Sequence, residues 1–251
     1  MCFDGVARPP QPPRTGASAG GRRLTLAGGD GTEVAARLAA TSAADAPGIV
    51  ILPDVRGLHP YYELLAEAFA QAGLHALAID LYSRTAGTAY RDDDFDFAPH
   101  RERVTDEQVA SDVRAAAAHL RGLGCGRVFV VGFCFGGRQA LLQASRPGID
   151  GVIGFYGSPT RQGPEGRSPL AEAREGPVRC PVLALYGGAD QGIPAADIEA
   201  YDAALEAAGV PHRMVVYPGA PHSFFDRTMD EHAEACADAW RRILEFTDPA
   251  N

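Results

Sequence analysis

Val128-Phe129-Val130-Val131-Gly132-Phe133-Cys134-Phe135-Gly136-Gly137-Arg138-Gln139-Ala140-Leu141-Leu142 decides the reading of this chain. The short apolar run predicts a buried strand and the segment after it a helix. Gly-x-Cys-x-Gly between them predicts a sharp turn that lifts a nucleophile above the strand end. Glycines on either side of Cys134 let the backbone turn tightly while the helix passes close to the strand. Sulfur stands where most such elbows carry a serine hydroxyl.

Working outward, strand-like and helix-like runs alternate along the chain. After two early strands over 24–27 and 32–40, strands are predicted over 48–52, 74–79, 128–132, 152–156, 182–186 and 214–217. Helices are predicted over 61–72, 105–123, 135–145, 195–208 and from about 229 to 246. Thr105 and Gln108 form a capping-box signal ahead of an apolar face. Continuous apolar strands imply a sheet covered by helices on both faces, so the fold class is α/β with a mostly parallel central sheet. At 251 residues and 46% hydrophobic content the chain fits one such domain over 24–251, after a Pro/Gly-rich extension over 1–23. Segment 82–104 interrupts the alternation; its acids Asp92, Asp93, Asp94 and Asp96 read as a solvated loop, with a mobile lid as the other reading.

A net charge of −9 and the absence of basic runs argue against nucleic acid, and no apolar stretch reaches membrane-spanning length. The amino end has no apolar core of a signal peptide. Five cysteines at positions 2, 125, 134, 180 and 236 lack zinc-ligand spacing, which points to a reduced cytoplasm and to Cys2, Cys125, Cys180 and Cys236 as bystanders. No His-Glu-x-x-His or similar cluster suggests a metal.

A cysteine alone is more often a small buried hydrophobe than a nucleophile. Its setting decides otherwise, because side chains past the carboxyl ends of parallel strands converge on one edge. Asp190 follows the strand ending Leu185-Tyr186-Gly187, and His222 follows the one ending Val216-Tyr217. Nucleophile, acid and histidine in that chain order fit the α/β-hydrolase arrangement. The backbone N–H groups of Phe135 and Val55 are the expected oxyanion donors. Asp54 either pairs with Arg56 or caps the next helix, or else faces the thiol and keeps it protonated. Arg84, after the strand ending at Ile79, is placed to hold a substrate carboxylate.

Leu52-Pro53-Asp54-Val55-Arg56-Gly57, Ala78-Ile79-Asp80-Leu81-Tyr82-Ser83-Arg84, the Cys134 elbow, Gly154-Phe155-Tyr156-Gly157, Gly187-Gly188-Ala189-Asp190 and Pro221-His222-Ser223-Phe224 together resemble the dienelactone hydrolase (carboxymethylenebutenolidase) family. The resemblance covers roughly 48–246. It implies an α/β-hydrolase that opens enol-lactones with a Cys134–His222–Asp190 triad through a thioester, without cofactor or metal. It also implies that Arg84 contacts the substrate carboxylate. The chain departs from the family in two places: Asp54 replaces a glutamate, and Asp226 stands where a second carboxylate-binding arginine is expected; either a one-residue shift lets the adjacent Arg227 restore that substrate contact, or Asp226 repels an anionic substrate. The expected partner is a small ester or lactone, with the protein a monomer or homodimer. The other readings are a general carboxylesterase or thioesterase with the same triad, and a non-catalytic ligand- or redox-sensing homologue.

Overall fold

The structure, a computed structural model, describes residues 8–13, 18–43 and 45–248. One eight-stranded sheet organises them: β1 (Ser18–Ala27), β2 (Glu33–Thr41), β3 (Gly48–Leu52), β4 (His75–Ile79), β5 (Val128–Phe133), β6 (Gly151–Phe155), β7 (Val182–Gly187) and β8 (His212–Tyr217). Their order across the sheet is β1-β2-β4-β3-β5-β6-β7-β8. The β1–β2 and β2–β4 pairs are antiparallel, whereas every neighbour from β4 to β8 is parallel. This is the α/β-hydrolase fold. The residues of β3, β5, β6 and β7 are all buried, which is why those strands read as unbroken apolar runs. β8, at the sheet edge, alternates instead and leaves Val216 exposed.

Eight helices connect the strands: α1 (Pro60–Gln71), α2 (Ser83–Ala86), α3 (Ala98–Arg101), α4 (Asp106–Gly122), α5 (Phe135–Leu142), α6 (Pro169–Glu175), α7 (Ala195–Ala207) and α8 (Ala233–Thr247). The Thr105–Gln108 capping box forms with both of its hydrogen bonds. α6 is too short to carry a clear periodicity, yet its start follows a simple rule: Ser168 Oγ accepts the Ala171 N–H and Pro169 takes the first turn.

Beyond shifts of up to three residues at element ends, the structure departs from the sequence reading at β1, at α8 and in segment 82–104. β1 begins at Ser18, so the last part of the expected 1–23 extension belongs to the sheet, paired with β2. α8 begins at Ala233, because Glu231 and His232 donate their N–H groups to Thr228 in turns ahead of it. Segment 82–104 contains two short helices and is fastened from inside. Arg91 is buried against Asp80, Asp93 meets His59 at 2.9 Å, and Phe95 stacks on His100 at 5.2 Å. Asp92, Asp94 and Asp96 stay exposed, as expected of the solvated-loop reading.

Cys2 lies outside the described residues; Cys125, Cys134, Cys180 and Cys236 are free thiols. Among the described residues no helix is long and apolar enough to cross a membrane. Pro9, Pro10 and Pro12 are buried, and the Pro10 carbonyl accepts the Trp240 indole N–H at 2.9 Å. Trp240 is itself fully buried, with Phe69 at 4.8 Å and Phe225 at 5.8 Å between ring centroids. The amino-terminal prolines therefore close the core over α8. Trp240→Ala should cost about 3–5 kcal/mol of unfolding free energy, measured by urea denaturation, by leaving a cavity and an unpaired carbonyl; a loss below about 1 kcal/mol would show that this contact contributes little.

Candidate functional site

At the carboxyl end of β5 the chain makes its tightest turn. Cys134 adopts φ 54° and ψ −110°, outside the common regions for a residue with a side chain. The turn is possible because the chain segments around it touch through backbone. A Cβ on Gly132 would lie 2.0 Å from the Gly136 carbonyl oxygen, one on Gly136 would lie 2.3 Å from the Leu52 and Pro53 oxygens, and one on Gly137 would lie 2.4 Å from the Phe155 oxygen. Cys134 N–H donates to the Phe155 carbonyl at 3.0 Å and its own carbonyl accepts the Arg138 N–H at 3.1 Å. The thiol is left partly exposed at the sheet edge.

Asp190 follows β7, two strands from β5, and His222 follows β8, three strands away. Gly187, at the end of β7, has no room for a side chain because the Ala220 oxygen would lie 2.4 Å from its Cβ. The β7 and β8 loops are thus pressed together, with Ala189 N–H on the Ala220 carbonyl at 2.9 Å. Asp190 Oδ1 accepts the Gly192 N–H at 2.8 Å, which aims Oδ2 at His222 Nδ1, 2.6 Å away. That contact assigns the proton to Nδ1 and leaves Nε2 as an acceptor. The Asp190 side chain is 3% exposed and that of His222 38%, so the carboxylate is enclosed and the imidazole partly exposed. Tyr156 supports the imidazole, its ring 4.9 Å from that of His222. Since the Cys134 N–H bonds the carbonyl of the preceding Phe155, the Cys134 backbone and the His222 ring each contact one of two consecutive residues at the end of β6.

Val55, expected as an oxyanion donor, lies in the loop after β3. Among the described residues Val55 N–H donates to no protein acceptor, whereas the Val55 carbonyl receives the Tyr82 hydroxyl at 3.0 Å. Phe135 N–H reaches the Cys134 sulfur. Both donors are therefore uncommitted to secondary structure.

Asp54 adopts the first of its alternatives. It is buried and gripped by Arg56, whose Nε lies 3.0 Å from Oδ1 and whose Nη2 lies 2.8 Å from Oδ2. The shorter side chain makes no hydrogen bond with Cys134 among the described residues. Its charge still acts on the sulfur. Burial and the Asp54 carboxylate push the Cys134 thiol up to about 11, against the Phe135 N–H and the Arg161 and Arg227 guanidiniums, which favour the thiolate.

Asp226 does not confront the cleft as the sequence reading feared. It is buried, and its Oδ2 accepts a second hydrogen bond from Arg56 Nη2, bolting the histidine loop to the oxyanion loop. Burial raises its carboxyl above the usual range, with Arg56 opposing. Arg227, next in sequence, is exposed and acts on the sulfur by its charge.

Arg84 requires a correction. Its guanidinium is clamped between Asp30 (Nε to Oδ2, 2.8 Å) and Asp112 (Nη2 to Oδ1, 2.7 Å), with Nη1 on Asp112 as well. Four of its donor contacts thus join the β1–β2 turn to α4, and the fork expected to receive a substrate carboxylate is already filled by two protein carboxylates. Arg56, Tyr156 and Arg161 are the residues the sequence did not flag. Arg56 stood beside Asp54 in a named alternative, but nothing local pointed to Asp226 or to a cation on the loop after β6.

The dienelactone hydrolase family model matches residues 34–250 of the chain. A relative in Methylorubrum extorquens named "Putative carboxymethylenebutenolidase" is 33% identical over 208 residues, covering 80% of this chain and 71% of that protein. A solved structure described as a "Putative Dienelactone Hydrolase" from Klebsiella pneumoniae superposes with a TM-score of 0.80 at 28% identity, covering 92% of this chain and 98% of that one. At 20% identity, the dienelactone hydrolase-like promiscuous phosphotriesterase P91 from metagenomic libraries shares the fold, with a TM-score of 0.73.

Two outcomes follow from these contacts. With the thiol at about 11, the iodoacetamide alkylation rate of Cys134 should climb close to tenfold per pH unit from 7 to 10, without a plateau. Asp54→Asn removes the nearby negative charge, moves the inflection down and accelerates alkylation at pH 8 by about three- to tenfold; an unchanged profile would remove Asp54 from control of the sulfur. Arg84→Gln leaves Asp112 buried without its partner and should cost about 3 kcal/mol in urea unfolding, with KM for carboxylated esters unaltered; a selective rise in that KM would restore the substrate role.

Proposed function

Because the chain belongs to the dienelactone hydrolase family, and is thus an ester or lactone hydrolase, we propose that it opens dienelactone-type enol-lactones with Cys134 as nucleophile, His222 as base and Asp190 as the acid that orients it. The observation that carries this reading is the strained elbow that holds Cys134 at φ 54° at the carboxyl end of β5, together with an imidazole whose Nδ1 is fixed 2.6 Å from a buried carboxylate. Strain of that kind persists only where the surroundings impose it.

In the proposed reaction His222 Nε2 takes the thiol proton as the sulfur attacks the lactone carbonyl. The resulting imidazolium is stabilised by Asp190, so the raised thiol need not ionise beforehand. Val55 and Phe135 N–H groups receive the oxyanion. Collapse breaks the ring C–O bond, the enolate oxygen takes the proton from His222 and tautomerises to a ketone, and a thioester remains. Water, deprotonated by His222, then cleaves the thioester and returns the proton to sulfur. No cofactor or metal takes part in these steps. A reduced compartment such as the cytoplasm suits a nucleophilic thiol.

A general small-ester esterase or thioesterase is the second reading, favoured by the engagement of Arg84 with Asp30 and Asp112. The test compares cis- and trans-dienelactone with neutral aryl esters and thioesters, using intact-protein mass spectrometry to look for an acyl adduct on Cys134. Preferred turnover of a dienelactone, an adduct of ring-opened mass and loss of both in Cys134→Ala are expected. Esterase activity above background in Cys134→Ala would overturn the nucleophile assignment, and turnover of aryl esters alone would transfer the conclusion to the second reading.

A further inference from the structure

The loop after β6 starts against the elbow. A Cβ on Gly157 would lie 2.4 Å from the Gly137 carbonyl carbon, so the chain leaving β6 crosses the first turn of α5 in backbone contact. From there the loop is held at several points. Arg161 N–H donates to Ser158 Oγ at 3.1 Å, and Thr160 Oγ1 donates to Asp197 of α7 at 2.6 Å. The Arg161 carbonyl accepts Arg138 Nε at 2.8 Å, and the Arg167 carbonyl accepts Arg138 Nη2 at 2.7 Å.

Arg138 is the hub of this clamp. It sits one helical turn beyond Cys134 and is 4% exposed. Its charge is met by Asp106 of α4 through Nη1 at 2.8 Å and Nη2 at 3.1 Å, and Gln139 Nε2 reaches the same carboxylate at 2.9 Å. Gly163 completes the enclosure, because a Cβ there would stand 2.7 Å from both Arg138 Nη2 and Asp106 Oδ2. Burying an ion pair is costly unless its hydrogen bonds are made, and here several of them go to the loop backbone.

Against this fixed backbone, the Arg161 side chain is exposed, and its guanidinium makes no hydrogen bond or ion pair among the described residues. That is the opposite of Arg84, whose fork is filled. Resting on the proposed thiol chemistry, we infer that Arg161 is the carboxylate anchor of this site, receiving the anionic group of an ester or lactone substrate while its carbonyl lies on Cys134. A guanidinium fork matches a carboxylate with two parallel hydrogen bonds, and only a side chain with open donors can offer it. The field of Arg161 at the Cys134 sulfur agrees with that placement. Arg138 is by this argument a positioning residue, acting on substrate only through the Arg161 backbone.

Paired alkylation of Cys134 tests the anchor without requiring ester turnover. Iodoacetate and iodoacetamide differ in one charge, and both report on the same sulfur. Arg161→Gln should slow iodoacetate about tenfold while changing iodoacetamide less than about threefold, with Arg161→Lys intermediate. Added salt should weaken the wild-type preference for iodoacetate. Circular dichroism checks that the surface substitution leaves the fold intact. With substrates, Arg161→Gln should raise KM for a carboxylated ester about tenfold at nearly constant kcat and leave a neutral ester unaffected. Equal slowing of the two alkylating agents, or no slowing of either, would overturn the anchor even if the protein hydrolyses dienelactone. Conversely, failure to turn over any ester with a charge-selective alkylation effect would sink the proposed reaction and keep the anion site.

Discussion

Cys134 is held at φ 54° by backbone packed on backbone, and the rest of the cleft is arranged around that contact. A residue with a Cβ in such a conformation costs of order 1–3 kcal/mol, which the sheet and α5 must offset together. Gly136 lies beneath the Leu52 and Pro53 carbonyls, so the elbow fixes not only its own sulfur but the start of the loop bearing Val55. Gly137 lies beneath the end of β6 and Gly157, so the same turn sets where the next loop departs. Cys134, the loop bearing Val55 and loop 157–167 are therefore positioned by one piece of close packing.

Electrostatics around the sulfur follow a different rule from direct hydrogen bonding. Asp54 is one methylene shorter than the glutamate that the family resemblance implies, and Arg56 holds both of its oxygens. It is therefore a fixed negative charge near the thiol and not a mobile hydrogen-bond partner. Asp226, where a family arginine was expected, turns to the same guanidinium. Two carboxylates against one buried cation leave the cluster negative, and the Asp54 charge with burial favours the protonated thiol of Cys134. In this chain the residues at both departures from the family resemblance, Asp54 and Asp226, bond the same guanidinium, that of Arg56.

The framework was legible because its causes are local. Fully buried strands read as apolar runs, Thr105 and Gln108 announce a helix start, and Cys134, Asp190 and His222 follow the ends of β5, β7 and β8 in chain order. Arg84 and Asp226 were misread because their partners are distant in sequence. Arg84 meets Asp30 from 54 residues away and Asp112 from 28, and Arg56 meets Asp226 across 170. A strand-end position says that a side chain starts at the cleft; it does not say which carboxylate reaches it first. The acidic run was read correctly for its exposed members, but His59 as the partner of Asp93 left no local signal.

The loops at this sheet edge share a construction. Each is fixed by a buried charged group that bonds loop backbone or a neighbouring loop. Arg56 joins the oxyanion loop to the histidine loop. Asp80 accepts the Leu58 N–H at 3.0 Å, the Tyr82 N–H at 3.2 Å and Arg91 Nη2 at 2.9 Å, joining the oxyanion loop to the segment after β4. Arg138 and Asp106 hold the loop after β6. Removing one member of such a pair strands a charge in a low-dielectric interior, a penalty of several kcal/mol, whereas an exposed side chain on the clamped loop changes at little cost in stability. The fold can therefore keep its elbow and base while exchanging the exposed residues that meet the substrate. Arg161 is such a position, its carbonyl held by the buried Arg138–Asp106 pair and its side chain exposed, which is the construction that the proposed anchor role requires.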